Sequence, residues 1–382
     1  MDKLVIYDTS NFVDFPIGGQ ITSIRNFLRY IAENKTFLVD KILLVGVTTN
    51  SSEVGHLCHV EIMGKSFSFL PVLYRDVSLN SVSKSLRKEY VKALFKYKNL
   101  IPSTKKTIHY LHTPEAYIEI KMIHPSAKIV TFSHGSFFNM EEGFRFYKKN
   151  KLLMFLFRLM IKSLLKHSKT IFVLDDDSFS KYTKYNKNVI RVNNSIVIPI
   201  DVTKKIIHNP VRLLFVGRLS SVKGIDVIIK SMLTIKNKAI LSIVGDGELF
   251  NNLSHLIDDL DLSNQVTLCG SVTPEKVKDF YINNDVLIMN SILEGKPMTI
   301  IEAMSYGLPV ITTPVGGICE LVENNTNGIY TDGSRESIVQ SLELIQNNYD
   351  SFSDAAIKKS MQFDYRTING EIVSRILEIA QK

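Results

Sequence analysis

Residues 211–232 read V-R-L-L-F-V-G-R-L-S-S-V-K-G-I-D-V-I-I-K-S-M. An apolar run ends at Gly217, a short stretch carries Arg218 and Lys223, and apolar residues recur at helical spacing from Gly224 onward. The segment is read as strand, turn and helix, with two cations converging on a helix amino end. Glycine permits close backbone approach and the helix end adds positive potential, so the turn suits a diphosphate. By itself the segment also admits solvated loop charges.

Working outward, strand-like runs at 239–244, 265–268, 286–289 and 309–312 continue the pattern with helices between them. Toward the amino terminus, runs at 4–8, 41–47, 107–111, 128–132 and 170–174 alternate with helix-like segments, including I-T-S-I-R-N-F-L-R-Y-I at 21–31. Alternation of this kind specifies α/β domains with parallel, doubly wound sheets. Between 189 and 210 the pattern weakens into polar residues and prolines, which places a boundary there. The expected domains are 1–200 and 201–365.

In open α/β sheets ligands bind beyond the carboxyl ends of the strands, so the turns that follow them carry the candidate chemistry. Residues 289–311 read M-N-S-I-L-E-G-K-P-M-T-I-I-E-A-M-S-Y-G-L-P-V-I. Pro297 marks a helix start, and Gly307 with Pro309 marks its end. Glu294 then precedes the helix and Glu302 falls in its second turn. Carboxylates accept hydrogen bonds from sugar and ribose hydroxyls, and the amides near Gly295, Lys296 and Met298 can meet phosphate or sugar oxygens. One glutamate alone could be a capping or surface residue.

His134, just past a strand in V-T-F-S-H-G, can donate to a substrate oxygen or serve structurally. His109 and His112 share that ambiguity. The turn I-V-G-D-G-E-L, with Gly245, and C-G-S-V-T-P, with Val272, could border a nucleotide base. The spacing of G-D-G-E does not complete a dinucleotide fingerprint. Asp175, Asp176 and Asp177 follow a strand and precede a helix, which reads as N-capping rather than a metal site.

Composition frames these motifs. The chain of 382 residues is 45% hydrophobic and 22% charged, ordinary for globular domains and long enough for two. Three cysteines, Cys58, Cys269 and Cys319, form neither a disulfide framework nor a paired metal motif. His56, Cys58 and His59 fit alternation on an exposed strand better than a metal clip. The amino terminus lacks signal-peptide flanks, and the apolar stretch 152–165 is broken by Arg158 and Lys162, so a cytoplasmic chain without a spanning helix is expected. The formal charge of +8 is concentrated in 145–169 around an apolar helix. That segment reads either as a basic amphipathic helix for an anionic membrane or as a core-packed helix with a solvated edge. No nucleic-acid recognition motif accompanies it.

Taken together, V-G-R-L-S-S-V-K-G, V-G-D-G-E and E-G-K-P-M-T-I-I-E-A-M-S-Y-G-L-P-V-I-T-T-P-V-G-G resemble the retaining glycosyltransferases of family four, with the GT-B fold. The likeness is specific over 211–328 and thinner in the first half. There it rests on Gly18-Gly19, His134-Gly135 and V-I-R-V-N-N-S-I, where Asn194 stands in place of the family's glycine. The resemblance implies two Rossmann-like domains facing across a cleft, with a last helix, 366–382, crossing back onto the first. It implies a hexosyl donor, UDP-linked rather than GDP-linked, and a saccharide or lipid-linked acceptor, with no cofactor and no metal. By similarity Arg218 and Lys223 neutralise the diphosphate, Glu294 contacts the sugar, Glu302 the ribose, and His134 the sugar near its reacting carbon. Gly19 brings the first loop against the diphosphate or acceptor, and Gly217 and Pro297 complete the donor site. The competing expectations are a nucleotide-sugar epimerase of the same architecture and a catalytically silent sugar-nucleotide-binding subunit.

Overall fold

The computed structural model describes residues 1–13, 15, 19–76, 86–138, 151–200 and 205–381. Gly18, Lys148, Lys149 and the remainder of 145–150 in the basic segment lie outside the described residues. The chain divides into two compact units, Met1–Ser195 with Tyr365–Lys382, and Ile196–Asp364.

The first unit carries strands β1 (Leu4–Tyr7), β2 (Ile42–Thr48), β3 (Cys58–Ile62), β4 (Lys65–Tyr74), β5 (Ile108–Leu111), β6 (Lys128–Ser133), β7 (Ser168–Val173) and β8 (Val189–Arg191). Its helices are α1 (Gly19–Asn34), α2 (Leu86–Lys96), α3 (Ala116–Ile123), α4 (Lys151–His167) and α5 (Asp176–Tyr182). The sheet order is β3-β4-β2-β1-β5-β6-β7-β8, parallel except for the antiparallel β3–β4 pair at one edge. Leu4 and Ile6 enter one core with Ile24, Phe27 and Ile31 of α1, while Val5 and Tyr7 enter another with Leu94, Ile120 and Leu164. Because both faces of β1 are buried, its sequence is continuously apolar rather than alternating. The strand read around Cys58 and His59 is β3, with the alternating exposure expected of it. Asp175 caps α5, accepting from the Ser178 amide at 2.7 Å.

The second unit contains β9 (Val211–Val216), β10 (Ala239–Val244), β11 (Val266–Gly270), β12 (Val286–Met289), β13 (Val310–Thr312) and β14 (Gly328–Tyr330). Its helices are α6 (Ile225–Ser231), α7 (Phe250–Asp259), α8 (Pro274–Asn283), α9 (Met298–Ser305), α10 (Ile318–Leu321), α11 (Arg335–Asn347) and α12 (Tyr349–Ser360). All pairings are parallel, in the order β11-β10-β9-β12-β13-β14. This is the doubly wound dinucleotide-binding order, with the connections reversing direction between β9 and β12.

The last helix, α13 (Tyr365–Gln381), belongs to the first unit. Its Ile368, Ile372, Val373, Ile376 and Ile379 join the core that α1 supplies. Tyr365 donates to Glu33, and the Asn369 amide reaches Ser195 Oγ at 3.3 Å.

Candidate functional site

The six parallel strands of the second unit end on one edge, so the loops after them gather there. The first chain of events lies at the reversal point. The loop after β9 carries Gly217, Arg218 and Lys223, and the loop after β12 carries Glu294 through Pro297. The two are tied together by the Ile292 amide, which donates to the Val222 carbonyl at 2.8 Å. Gly224 makes the approach possible: it sits at φ +57°, and a Cβ there would stand 2.4 Å from the Asn290 carbonyl oxygen. The result is an ion pair between Lys223 and Glu294, each side chain largely shielded. Ser291 Oγ donates to the same carboxylate oxygen at 2.8 Å. Arg218, in contrast, is exposed, and its side chain makes no hydrogen bond or ion pair among the described residues.

Two further turns press on these loops. A Cβ at Gly245, where φ is +142°, would meet the Gly217 carbonyl oxygen at 1.9 Å. The turn after β13 packs equally closely. A Cβ at Gly316 would meet the Glu294 carbonyl oxygen at 1.9 Å, and the Gly317 amide donates to the Gly295 carbonyl at 2.7 Å. Backbone therefore lies against backbone around Glu294 and Gly295, which holds the loop entering α9. Pro297 is the N-cap of α9, and the amides of Gly295 and Met298 have no protein acceptor among the described residues. They are open to an anion or hydroxyl oxygen. The Lys296 ammonium pairs instead with Glu320 at 2.8 Å and is almost fully shielded, so only its backbone is placed with the amides. Val272, after β11, is partly buried against the cluster that includes Val244 and Leu287.

Glu302 lies in the second turn of α9 and accepts from the Tyr281 hydroxyl at 2.9 Å. Burial pushes its carboxyl up and the tyrosine hydrogen bond opposes that shift. Tyr281 stacks on Tyr306 with centroids 5.6 Å apart.

The first unit gathers polar groups at its own switch point, between β1 and β5. Asp8, buried after β1, accepts from Gln20 and from Thr113 Oγ1 at 3.2 Å. Burial raises its carboxyl, and the hydrogen bonds from Ser10, Gln20 and Thr113 pull it back. His134 follows β6, and its Nε2 is 2.8 Å from His112 Nδ1. Burial depresses both imidazoles, His134 to about 3, so both are neutral at physiological pH. Gly19 opens α1 and is exposed. His109 is enclosed elsewhere, bonded to the Tyr7 hydroxyl at 2.8 Å and to Ser103 Oγ at 3.0 Å.

Within the second unit the structure thus joins Gly217, Lys223, Gly245, Glu294 and Gly295 in one network. Arg218 stands on the same loop, and Glu302 is on the helix that the network supports. Gly19 and His134 belong to the first unit. Sequence reading gave no individual role to Ser291, Tyr281, Gly316 and Gly317 in the second unit or to Asp8 and Thr113 in the first. The Gly316-Gly317 pair is visible in the sequence as a glycine doublet after a strand.

The family described as "Glycosyl transferases group 1" matches residues 200–363. The chain carries a glycosyl transferases group 1 domain. The group 1 match spans the whole of the β9–β14 sheet with its loops. The amylovoran biosynthesis glycosyltransferase AmsK of Erwinia amylovora is 34% identical over 131 residues, 32% of each chain. The uncharacterized glycosyltransferase MJ1069 of Methanocaldococcus jannaschii is 30% identical over 269 residues, 64% of this chain and 65% of that one. The chain therefore spans less than two thirds of the length of either relative. Among solved structures, Anabaena Alr3699/HepE in complex with UDP and glucose is similar at a TM-score of 0.69 and 17% identity, covering 99% of this chain and all of that one. The fold is GT-B, with two Rossmann-like sheets.

Proposed function

We propose that this group 1 protein is a retaining glycosyltransferase that moves a hexosyl unit from a nucleoside-diphosphate sugar to a saccharide or lipid-linked saccharide in surface polysaccharide or glycolipid synthesis. The observation that carries the reading is the meeting of Lys223 with Glu294 at the reversal point of the second sheet, beside exposed Arg218. A diphosphate seated there takes Lys223 and Arg218 as counter-charges, which frees Glu294 to accept from sugar hydroxyls. Glu302, pulled toward its neutral form by burial, accepts from a ribose hydroxyl with Tyr281 behind it. The open amides of Gly295 and Met298 add donors for phosphate or sugar oxygens. His134 donates to an oxygen of the sugar, and Gly19 offers backbone at its loop.

Bond making follows from these charges. As the sugar–phosphate bond breaks, Arg218 and Lys223 hold the negative charge that develops on the leaving oxygen. The acceptor hydroxyl attacks from the same face and passes its proton to that oxygen, which retains the anomeric configuration. Because side-chain cations meet the diphosphate, no divalent metal and no cofactor enters the scheme. UDP is preferred as the nucleotide, supported by the UDP complex of HepE. The names of AmsK and its product support a saccharide acceptor.

A cytoplasmic enzyme peripheral to the inner face of the membrane fits helix α4. Leu152, Phe155, Leu156 and Leu159 form one exposed stripe, with relative exposures of 46–67%. Lys162 and Lys166 follow on the same helix. Apolar insertion beside cations suits an anionic bilayer surface. Among the described residues no helix is long and apolar enough to cross a membrane.

The deciding experiment incubates purified protein with UDP- and GDP-sugars and follows nucleotide release with and without a lipid-linked acceptor fraction. Arg218→Ala and Glu294→Ala serve as controls. Acceptor-dependent release of one nucleotide, lost in both variants, is the expected result. Epimerisation of the donor without acceptor would move the protein to the epimerases, and binding without turnover would make it a silent subunit.

A further inference from the structure

The imidazoles of His112 and His134 share one hydrogen bond, Nδ1 of the first to Nε2 of the second, at 2.8 Å. Both rings are held in place. His112 is 4% exposed, lies 4.5 Å from the Tyr110 ring and is nearly parallel to Phe132 at 5.4 Å. His134 lies 4.5 Å from Phe132 and 5.1 Å from the His112 ring. Two neutral imidazoles can share this bond in only two ways. In one, His134 carries its proton on Nε2 and donates. His112 must then carry its proton on its own Nε2, which is buried and has no hydrogen-bond partner among the described residues. In the other, His112 donates from Nδ1, its buried Nε2 is an unprotonated lone pair, and His134 carries its proton on Nδ1. An enclosed N–H with no acceptor is the rarer and costlier orphan. The second arrangement avoids it.

We propose that His112 is a positioning residue that fixes His134 as its Nδ1–H tautomer, so that His134 presents a hydrogen-bond donor to an oxygen of the substrate. The inference rests on the glycosyltransferase reading only for the identity of that oxygen. The tautomer itself follows from the hydrogen bonding within the first unit. A donor at this nitrogen recognises a hydroxyl or ring oxygen with a free lone pair. It discriminates against a group that can only donate, which a lone pair at the same place would favour.

The test is a long-range proton–nitrogen correlation spectrum of the full-length protein labelled at histidine nitrogens, near pH 7 and without substrate. The His134 and His112 signals are assigned through His134→Gln and His112→Leu. The expected result is that both histidines are neutral, each with a protonated Nδ1 and an unprotonated Nε2. Protonation of His134 at Nε2, or a charged imidazolium at either site, overturns the proposal. In His112→Leu the donor to Nε2 is gone, so His134 should shift toward the Nε2–H tautomer. Donor turnover in that variant should fall about 10²-fold in kcat with little change in KM. His112→Asn, which can return a donor to the same place, should restore the Nδ1–H form. Loss of turnover in His112→Leu with the His134 tautomer unchanged would leave His112 a structural residue only. If no sugar nucleotide is turned over by the wild type, the spectrum still decides the tautomer, so failure of the function and failure of the inference are separable.

Discussion

Two cations on one turn start from different states. Arg218 is exposed, and Lys223 is engaged by Glu294. Removing either takes a counter-charge from the proposed diphosphate site, so Arg218→Ala and Lys223→Ala should each lower kcat/KM for the donor by about 10²-fold or more. Their stabilities should differ. Lys223→Ala leaves a shielded glutamate without its cation and should lower the unfolding free energy by roughly 1–3 kcal/mol. Arg218→Ala has no such contact to lose and should leave it unchanged. Steady-state kinetics beside urea unfolding of both variants checks the pair, and equal destabilisation would contradict the asymmetry. At this scale the sequence is informative about charge and glycine and silent about partners. Arg218, Lys223, Glu294 and Glu302 stand out because charged residues beside glycine turns follow strands. Ser291 and Tyr281 do not, because hydroxyl residues are common and nothing local shows which carboxylate they meet. The role of Gly316 appears only once the carbonyl of Glu294 is seen where its side chain would be.

Helix α3 carries a group whose burden shows in pH dependence. Glu119 is fully buried, both carboxyl oxygens lack a hydrogen-bond partner among the described residues, and burial raises its pKa from 4.5 to about 7. The folded chain thus holds this proton more tightly than the unfolded chain between those values. The contribution to stability is present below 4.5 and is lost as pH rises through about 7. Between pH 5 and pH 8 the wild type should lose on the order of 3 kcal/mol relative to Glu119→Gln, read from urea midpoints at each pH. Parallel profiles for the two proteins would refute this. Helix α4 makes a different prediction. Leu156→Asp or charge reversal at Lys162 and Lys166 should weaken cosedimentation with anionic vesicles at least tenfold and leave neutral vesicles unaffected. Binding unchanged in both variants would remove the membrane from the proposal. Elements buried on both faces were the legible ones, since a continuous apolar run such as 213–216 announces itself. Strand β4 hides because Pro71 interrupts it, and because the β3–β4 turn uses Met63 and Gly64, both at positive φ, in place of an Asn-Gly signal. Strand β8 ends in Arg191 and β14 begins at Gly328, so neither shows an unbroken apolar run.

Across the whole molecule the chain completes its first unit last. Five isoleucine and valine side chains of α13 lie in the core built by α1 and the first sheet. Deleting 365–382 should therefore cost the first unit several kcal/mol, while the second unit keeps its own cores. Hydrogen exchange resolved by peptide should show lost protection in β1, β2 and β5 and unchanged protection in β9, β10 and β12. Uniform loss in both sheets would deny the units their independence. The chain leaves the first unit at Ser195 and re-enters it at Tyr365. Within the second unit these two ends meet: Ile196 bridges to Asp364, and its amide donates to the Phe363 carbonyl at 2.8 Å. Within the first, the Ser195 carbonyl accepts from Asn26 and its hydroxyl from Asn369. Entry and exit lie side by side on both halves of the cut, so 196–364 is bounded like a cassette. A gene in which that span is exchanged for the corresponding span of a relative would alter the unit that carries the proposed donor site and leave the first unit's sequence unbroken on either side of the junction.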